Sequence, residues 1–115
     1  MKFEQLEVWQ KACRLSEALY LECKEVKDYG YKDQLTRAGM SVPSNIAEGV
    51  ERGGIKEQIQ FLNIARGSLG EVKTQMIIGK NIAYLNEAFV SYWLMECETI
   101  AAMLGGLIKS KRQKI

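Results

Sequence analysis

Apolar residues recur along this chain at the 3–4 spacing of an α-helix in four successive stretches, with no period-two alternation of the kind strands show. The first stretch runs from Glu7 to Val26. Val8, Ala12, Leu15, Leu19 and Val26 form one row, beside Trp9, Cys13, Ser16, Tyr20 and Cys23. Two adjacent rows make a wide face, as a helix inside a bundle needs. Asp28-Tyr29-Gly30 reads as the break, with Gly30 suited to the left-handed conformation that ends helices. The second stretch runs from Asp33 to Val50. Leu35, Ala38, Gly39, Val42, Ile46 and Val50 fall on one side, and Arg37, Ser41, Ser44, Glu48 and Arg52 on the other. This pattern passes through Pro43 without a phase change. One helix bent at Pro43 is therefore expected, with the Gly39 carbonyl left unpaired and Ser41 or Ser44 available to satisfy it. Two short helices, with Pro43 in the first turn of the second, is the alternative.

Glu51-Arg52-Gly53-Gly54 ends that stretch, and a third runs from Ile55 to Ile82. Its apolar face holds Phe61, Leu62, Ala65, Leu69, Val72 and Met76. A second face, Asn63, Gly67, Gly70 and Thr74, is made of small residues. Each mid-helix glycine costs about 1 kcal/mol relative to alanine, so a close helix contact is expected there, from another copy or from this chain, with tolerated surface glycines as the alternative. Asn86 suits an N-cap, with Leu85 positioned to staple onto Val90. Phe89, Trp93, Ile100, Leu104 and Leu107 follow as the apolar row. Gly105-Gly106 weakens the end, and residues 108–115 read as a frayed basic tail. The fold class is all-α: one domain over residues 1–115, an up-down-up-down antiparallel four-helix bundle kinked at Pro43.

Composition narrows the chemistry. The 115 residues are 47% hydrophobic and 26% charged with a single proline, an ordinary globular mixture. The opening Met1-Lys2-Phe3-Glu4 carries no apolar signal stretch, and no segment approaches the roughly 20 apolar residues of a membrane span, so a cytoplasmic protein is expected. Cys13, Cys23 and Cys97 form no Cys-x-x-Cys pair and read as small buried hydrophobes. There is no histidine. That removes the commonest general base and metal ligand. Glu48, Glu57, Glu71 and Glu96 do not converge on a metal site, and no cofactor is expected. Gly53-Gly54-Ile55-Lys56 is a weak anion cradle, better read as a turn. The Tyr and Trp residues sit mainly on apolar rows and read as core rather than as a base-stacking platform. The protein is expected not to be an enzyme.

Sixteen basic residues stand against fourteen acidic ones. Four of the basic residues are Lys109, Lys111, Arg112 and Lys114; without them the body holds twelve against fourteen. The basic surplus therefore sits in the tail, the one candidate for nucleic-acid contact, and no broad basic field surrounds it.

Two stretches are distinctive. One is Arg37-Ala38-Gly39-Met40-Ser41-Val42-Pro43-Ser44-Asn45-Ile46-Ala47-Glu48-Gly49. The other runs from Phe61 to Gln75 and contains Ala65-Arg66-Gly67-Ser68-Leu69-Gly70-Glu71. With Leu6-Glu7-Val8-Trp9-Gln10, they resemble the four-helix-bundle family of 23S rRNA intervening-sequence proteins, the S23 proteins, over nearly the whole chain. The resemblance implies a homo-oligomeric ring, with a pentamer expected. Some members are encoded inside insertions of the large ribosomal RNA gene. A related group serves diversity-generating retroelements and binds nucleic acid and a reverse transcriptase. This chain departs from the pattern at Gly39, where a bulkier residue is common, and at Ala83, where glycine is frequent. The motif residues Arg37, Ser44, Asn45, Glu48, Arg52, Arg66, Ser68, Glu71 and Gln75 read as an architectural polar set, crossing to a neighbouring helix or subunit. Two functions follow: an oligomeric adaptor for RNA or a ribonucleoprotein, or a structural, protein-binding oligomer with no nucleic-acid role.

Overall fold

The computed structural model describes residues 2–115. Four helices follow a short 3-10 turn at Phe3–Gln5: α1 Glu7–Glu22, α2 Tyr29–Glu51, α3 Ile55–Asn81 and α4 Glu87–Arg112. There is no strand among the described residues. Helices adjacent in sequence pack side by side and α4 closes back on α1, while the backbones of the diagonal pairs stay apart. The result is a square antiparallel bundle measuring 46 × 22 × 21 Å. One end carries the 3-10 turn, the α2–α3 turn and the end of α4; the other carries the α1–α2 and α3–α4 connections.

The core is the expected apolar face of each helix. Ala12, Leu15 and Leu19 of α1, Leu35, Val42 and Ile46 of α2, Leu62, Val72 and Met76 of α3, and Ile100 and Leu104 of α4 are fully buried. Removing such a leucine or isoleucine side chain to alanine costs about 2–5 kcal/mol. On α4 the buried row is Val90, Cys97, Ile100, Leu104 and Ile108; Phe89, Trp93 and Leu107 lie half-buried beside it. The aromatic residues are more exposed than the sequence pattern suggests. Tyr20 is 44% exposed, Tyr29 73% and Tyr92 56%. Cys23 and Cys97 are buried and Cys13 half-buried.

Helix ends are where expectation and structure differ. α1 stops at Glu22 rather than Val26, because the chain tightens: Cys23 N–H donates to Leu19 O, then Lys24 N–H to Leu21 O and Val26 N–H to Cys23 O. Gly30 is no terminator. It lies in the first turn of α2, and no glycine has a positive φ among the described residues. Asp28 starts that helix by accepting a hydrogen bond from Tyr31 N–H at 3.1 Å. α2 then runs unbroken through the buried Pro43, which excludes the two-helix alternative. Neither Ser41 nor Ser44 donates to the Gly39 carbonyl: the Ser41 hydroxyl turns to Ser68, and Ser44 faces solvent. Asn86 caps α4 as expected, accepting from Phe89 N–H at 3.1 Å. The tail is not frayed at Lys109, since α4 keeps helical form to Arg112. Lys109, Lys111 and Arg112 fill its last turn, where cations suit the helix dipole.

The end of α3 explains the departure at Ala83. Tyr84 N–H donates to Gly79 O at 2.8 Å and Ala83 N–H to Lys80 O at 3.1 Å, a Schellman termination. It places Ala83 at φ 65°, the only non-glycine residue with positive φ among the described residues. Alanine there is strained by about 1 kcal/mol relative to glycine. Ala83→Gly should therefore raise stability by about that amount, read as a shift of the urea midpoint with unchanged slope. Gly39 is explained by packing: a Cβ there would come within 2.7 Å of the Leu19 side chain, which occupies the space a larger residue would need.

Candidate functional site

Three surfaces carry the residues that the sequence singled out. The first is an open groove of about 350 Å³ between α2 and α3, where the two distinctive stretches meet. Arg37 and Ser41 line it from α2, and Ser68, Glu71 and Gln75 from α3. Its floor is a short polar chain. The Ser41 and Ser68 hydroxyls are 2.8 Å apart, and Asn45 Nδ2 donates to both Ser41 Oγ (2.9 Å) and Ser41 O (2.8 Å). Above it, Tyr31 donates its hydroxyl to the Gln75 carbonyl at 2.5 Å, tying α2 to α3 again. The Gln75 side-chain oxygen is buried without a partner. Arg37 turns away to Asp33, 2.8 Å, in an exposed (i, i+4) pair worth a few tenths of a kcal/mol.

The remaining polar set lies outside this groove. Arg52 joins the end of α2 to the start of α3. Its Nε lies 3.0 Å from Glu48, an ion-pair distance without hydrogen-bond alignment. Its Nη1 lies 3.5 Å from Glu57, and its guanidinium stacks 4.6 Å from the Phe61 ring centre. Gln58 closes the turn by donating to Arg52 O at 2.6 Å. Arg66 donates to Asn63 Oδ1 at 3.2 Å on its own helix, and Ser44 is exposed. The carboxylates named from the sequence lie apart: Glu48 and Glu57 bracket Arg52, Glu71 borders the groove, and Glu96 pairs with Lys11 at 3.8 Å. No three of Asp, Glu, Cys and His gather as metal ligands among the described residues.

The second surface is the outward side of α3 and α4. On α3 the exposed positions include Ile64, Gly67, Gly70, Thr74 and Ile78, with the Glu71 carboxylate among them. Nothing lies within 4 Å of where a Cβ at Gly67 or Gly70 would stand, so no helix of the same chain packs there. On α4 the outward row is Ala88, Tyr92, Met95, Thr99, Ala102 and Gly106, uncharged over about five turns. Met95 is 72% exposed. The outward sides of α1 and α2 differ sharply, with Glu7, Arg14 and Glu17 on one and Asp33, Arg37, Glu48 and Glu51 on the other. Sequence reasoning does not single out the α4 row; its signal is the absence of charge at 3–4 spacing between Glu87 and Lys109.

The third surface is the basic end of α4. Its four cations divide. Lys111 and Lys114 border a recess at the end of the bundle, whereas Lys109 and Arg112 do not.

Two groups set an alkaline limit. Burial pushes the Cys97 thiol and the Tyr31 phenol up to about 12 each, from ordinary values near 9 and 10. Both fold in the neutral form, so their stabilisation is complete below those ordinary values and is lost as pH rises toward 12. Thermal midpoints should hold level to about pH 9 and then fall, and Tyr31→Phe should leave that onset, which Cys97 sets, while making the fall above about pH 10 shallower.

The geometry is that of an antiparallel four-helix-bundle protein with an exposed small-residue face on α3 and an uncharged outward row on α4. The chain belongs to the 23S rRNA-intervening sequence protein family, whose model matches residues 4–106. Its fold is also that of a crystal structure from the S23 ribosomal protein family of Bacteroides thetaiotaomicron VPI-5482, a protein of unknown function. That likeness has a TM-score of 0.84 at 22% sequence identity, covering 89% of this chain and 98% of the other. No curated protein matches the chain. No helix among the described residues is long and apolar enough to cross a membrane.

Proposed function

We propose that this protein is a non-catalytic, self-assembling bundle that works in the cytoplasm as an adaptor for RNA or a ribonucleoprotein. The observation that carries the self-assembly is the small-residue face of α3, with open space over Gly67 and Gly70, together with the uncharged outward row of α4. Solvent alone would favour alanine or lysine at those positions. A second helix packed closely against them accounts for the glycines. The family's name, which links it to 23S rRNA, supports RNA as the partner. Each subunit offers a small cationic patch at Lys109 and Arg112, in the last turn of α4. A ring, with five copies as the family resemblance implies, gathers such patches and multiplies a weak contact.

Labelled RNA titrated across a salt series tests the adaptor role. Affinity should fall log-linearly with salt, by a slope of about −0.7 per phosphate neutralised on a single strand. Lys109→Ala with Arg112→Ala should flatten that slope. A chain that assembles but shows no salt-dependent RNA binding supports the structural, protein-binding reading, which the lack of a broad basic field also favours.

A further inference from the structure

We propose that the recess at the turn-bearing end of the bundle binds an acidic amphiphile, a medium-length aliphatic chain with an anionic head. The recess measures about 400 Å³. Leu6, Val50 and Leu107 supply its apolar wall, and all three are only half-buried. They come from the junction of the 3-10 turn with α1, from α2 and from α4, so the hollow is made by the assembled fold. Lys111 and Lys114 stand at its border. Lys111 is half-buried, and no carboxylate lies within 4 Å of either ammonium among the described residues. Two cations without a carboxylate partner beside a partly apolar wall suit a ligand that carries both an anion and a hydrocarbon chain. One molecule with a carboxylate or phosphate on an alkyl chain supplies both. An RNA phosphate supplies only the first, which is why the apolar wall decides for an amphiphile. Ser110 adds a hydroxyl at the border, and Gln58 is already committed to the Arg52 carbonyl, which holds the neighbouring turn in place.

Calorimetric titration of the full chain with sodium octanoate, octyl phosphate and n-octylamine, each below its micelle concentration, tests this. The two anions should bind saturably at one site per chain, and the amine should not. Lengthening the carboxylate from six to eight carbons should tighten binding about fourfold per methylene, as burial of hydrocarbon predicts. Lys111→Gln with Lys114→Gln should weaken octanoate binding at least roughly tenfold, as loss of charge-assisted contacts implies. These surface changes leave the core untouched, and circular dichroism checks that the helices persist. Leu107→Trp should block the site by filling it. The absence of saturable octanoate binding would overturn the proposal, as would equal binding of octylamine, or binding of anionic vesicles without soluble octanoate. The adaptor reading is separable, because Lys109→Ala with Arg112→Ala should weaken RNA binding while leaving octanoate affinity unchanged.

Discussion

Replacing Gly79 with alanine is expected to lower the thermal midpoint by roughly 10 °C, the largest effect of any single added methyl in this chain. Gly79 is buried on α3, and a Cβ there would overlap the Tyr31 hydroxyl and come within 2.9 Å of the Leu85 side chain. Neither neighbour is free to yield. The Tyr31 hydroxyl is held by the Gln75 carbonyl at 2.5 Å, and Leu85 is buried where the α3–α4 connection turns inward. Overpacking costs about 1–3 kcal/mol, and displacing the phenol from its acceptor adds about 1–3 kcal/mol. The better helix propensity of alanine returns about 1 kcal/mol, leaving a net loss of about 3 kcal/mol. In a Tyr31→Phe background much of the added penalty should vanish, because the atom that the methyl meets first is gone. Denaturant melts of the four proteins in that cycle measure the coupling. Equal penalties in both backgrounds would show that Leu85 alone resists the methyl.

Gly67→Leu should do the opposite to the isolated subunit and the worst to the assembly. No atom lies within 4 Å of the place a Cβ would take, and the residue is exposed, so leucine meets nothing inside its own chain. The helix should gain a few tenths to about 1 kcal/mol from losing a glycine. A second helix seated on Gly67 and Gly70 would be pushed outward by a side chain of that size. The variant should therefore unfold at a higher denaturant concentration at high dilution while losing its multimeric fraction at micromolar concentration. Sedimentation velocity reads the second effect. Retained native assembly would show that the small face does not pack as proposed.

The contrast between these two glycines shows where sequence reasoning reaches its limit. Gly67 and Gly70 are legible because they share a face with Asn63 and Thr74 away from the apolar row. Gly79 carries no such signal. Its role depends on Tyr31, 48 positions earlier in the chain, arriving at the same height, and that register is set by the α2–α3 turn. The Ser41–Ser68 contact that floors the groove is invisible from sequence for the same reason, although both residues lie in the distinctive stretches. Continuity through Pro43 is legible because the apolar positions on either side keep one helical phase. The end of α1 is not, because Gly30 has the look of a terminator, whereas Asp28 caps the next helix and draws Gly30 into its first turn. Gly105-Gly106 likewise suggests a frayed tail. The structure keeps that tail helical, with Ile108 buried beyond the glycines and cations at the negative end of the helix dipole.

Self-assembly underlies the proposed function, and the mass of the unmodified protein in solution tests it most directly. Size-exclusion chromatography with multi-angle light scattering at micromolar concentration should return a closed multimer of the 13.0 kDa chain, with five copies expected. A single monodisperse species of monomer mass at that concentration would contradict the account.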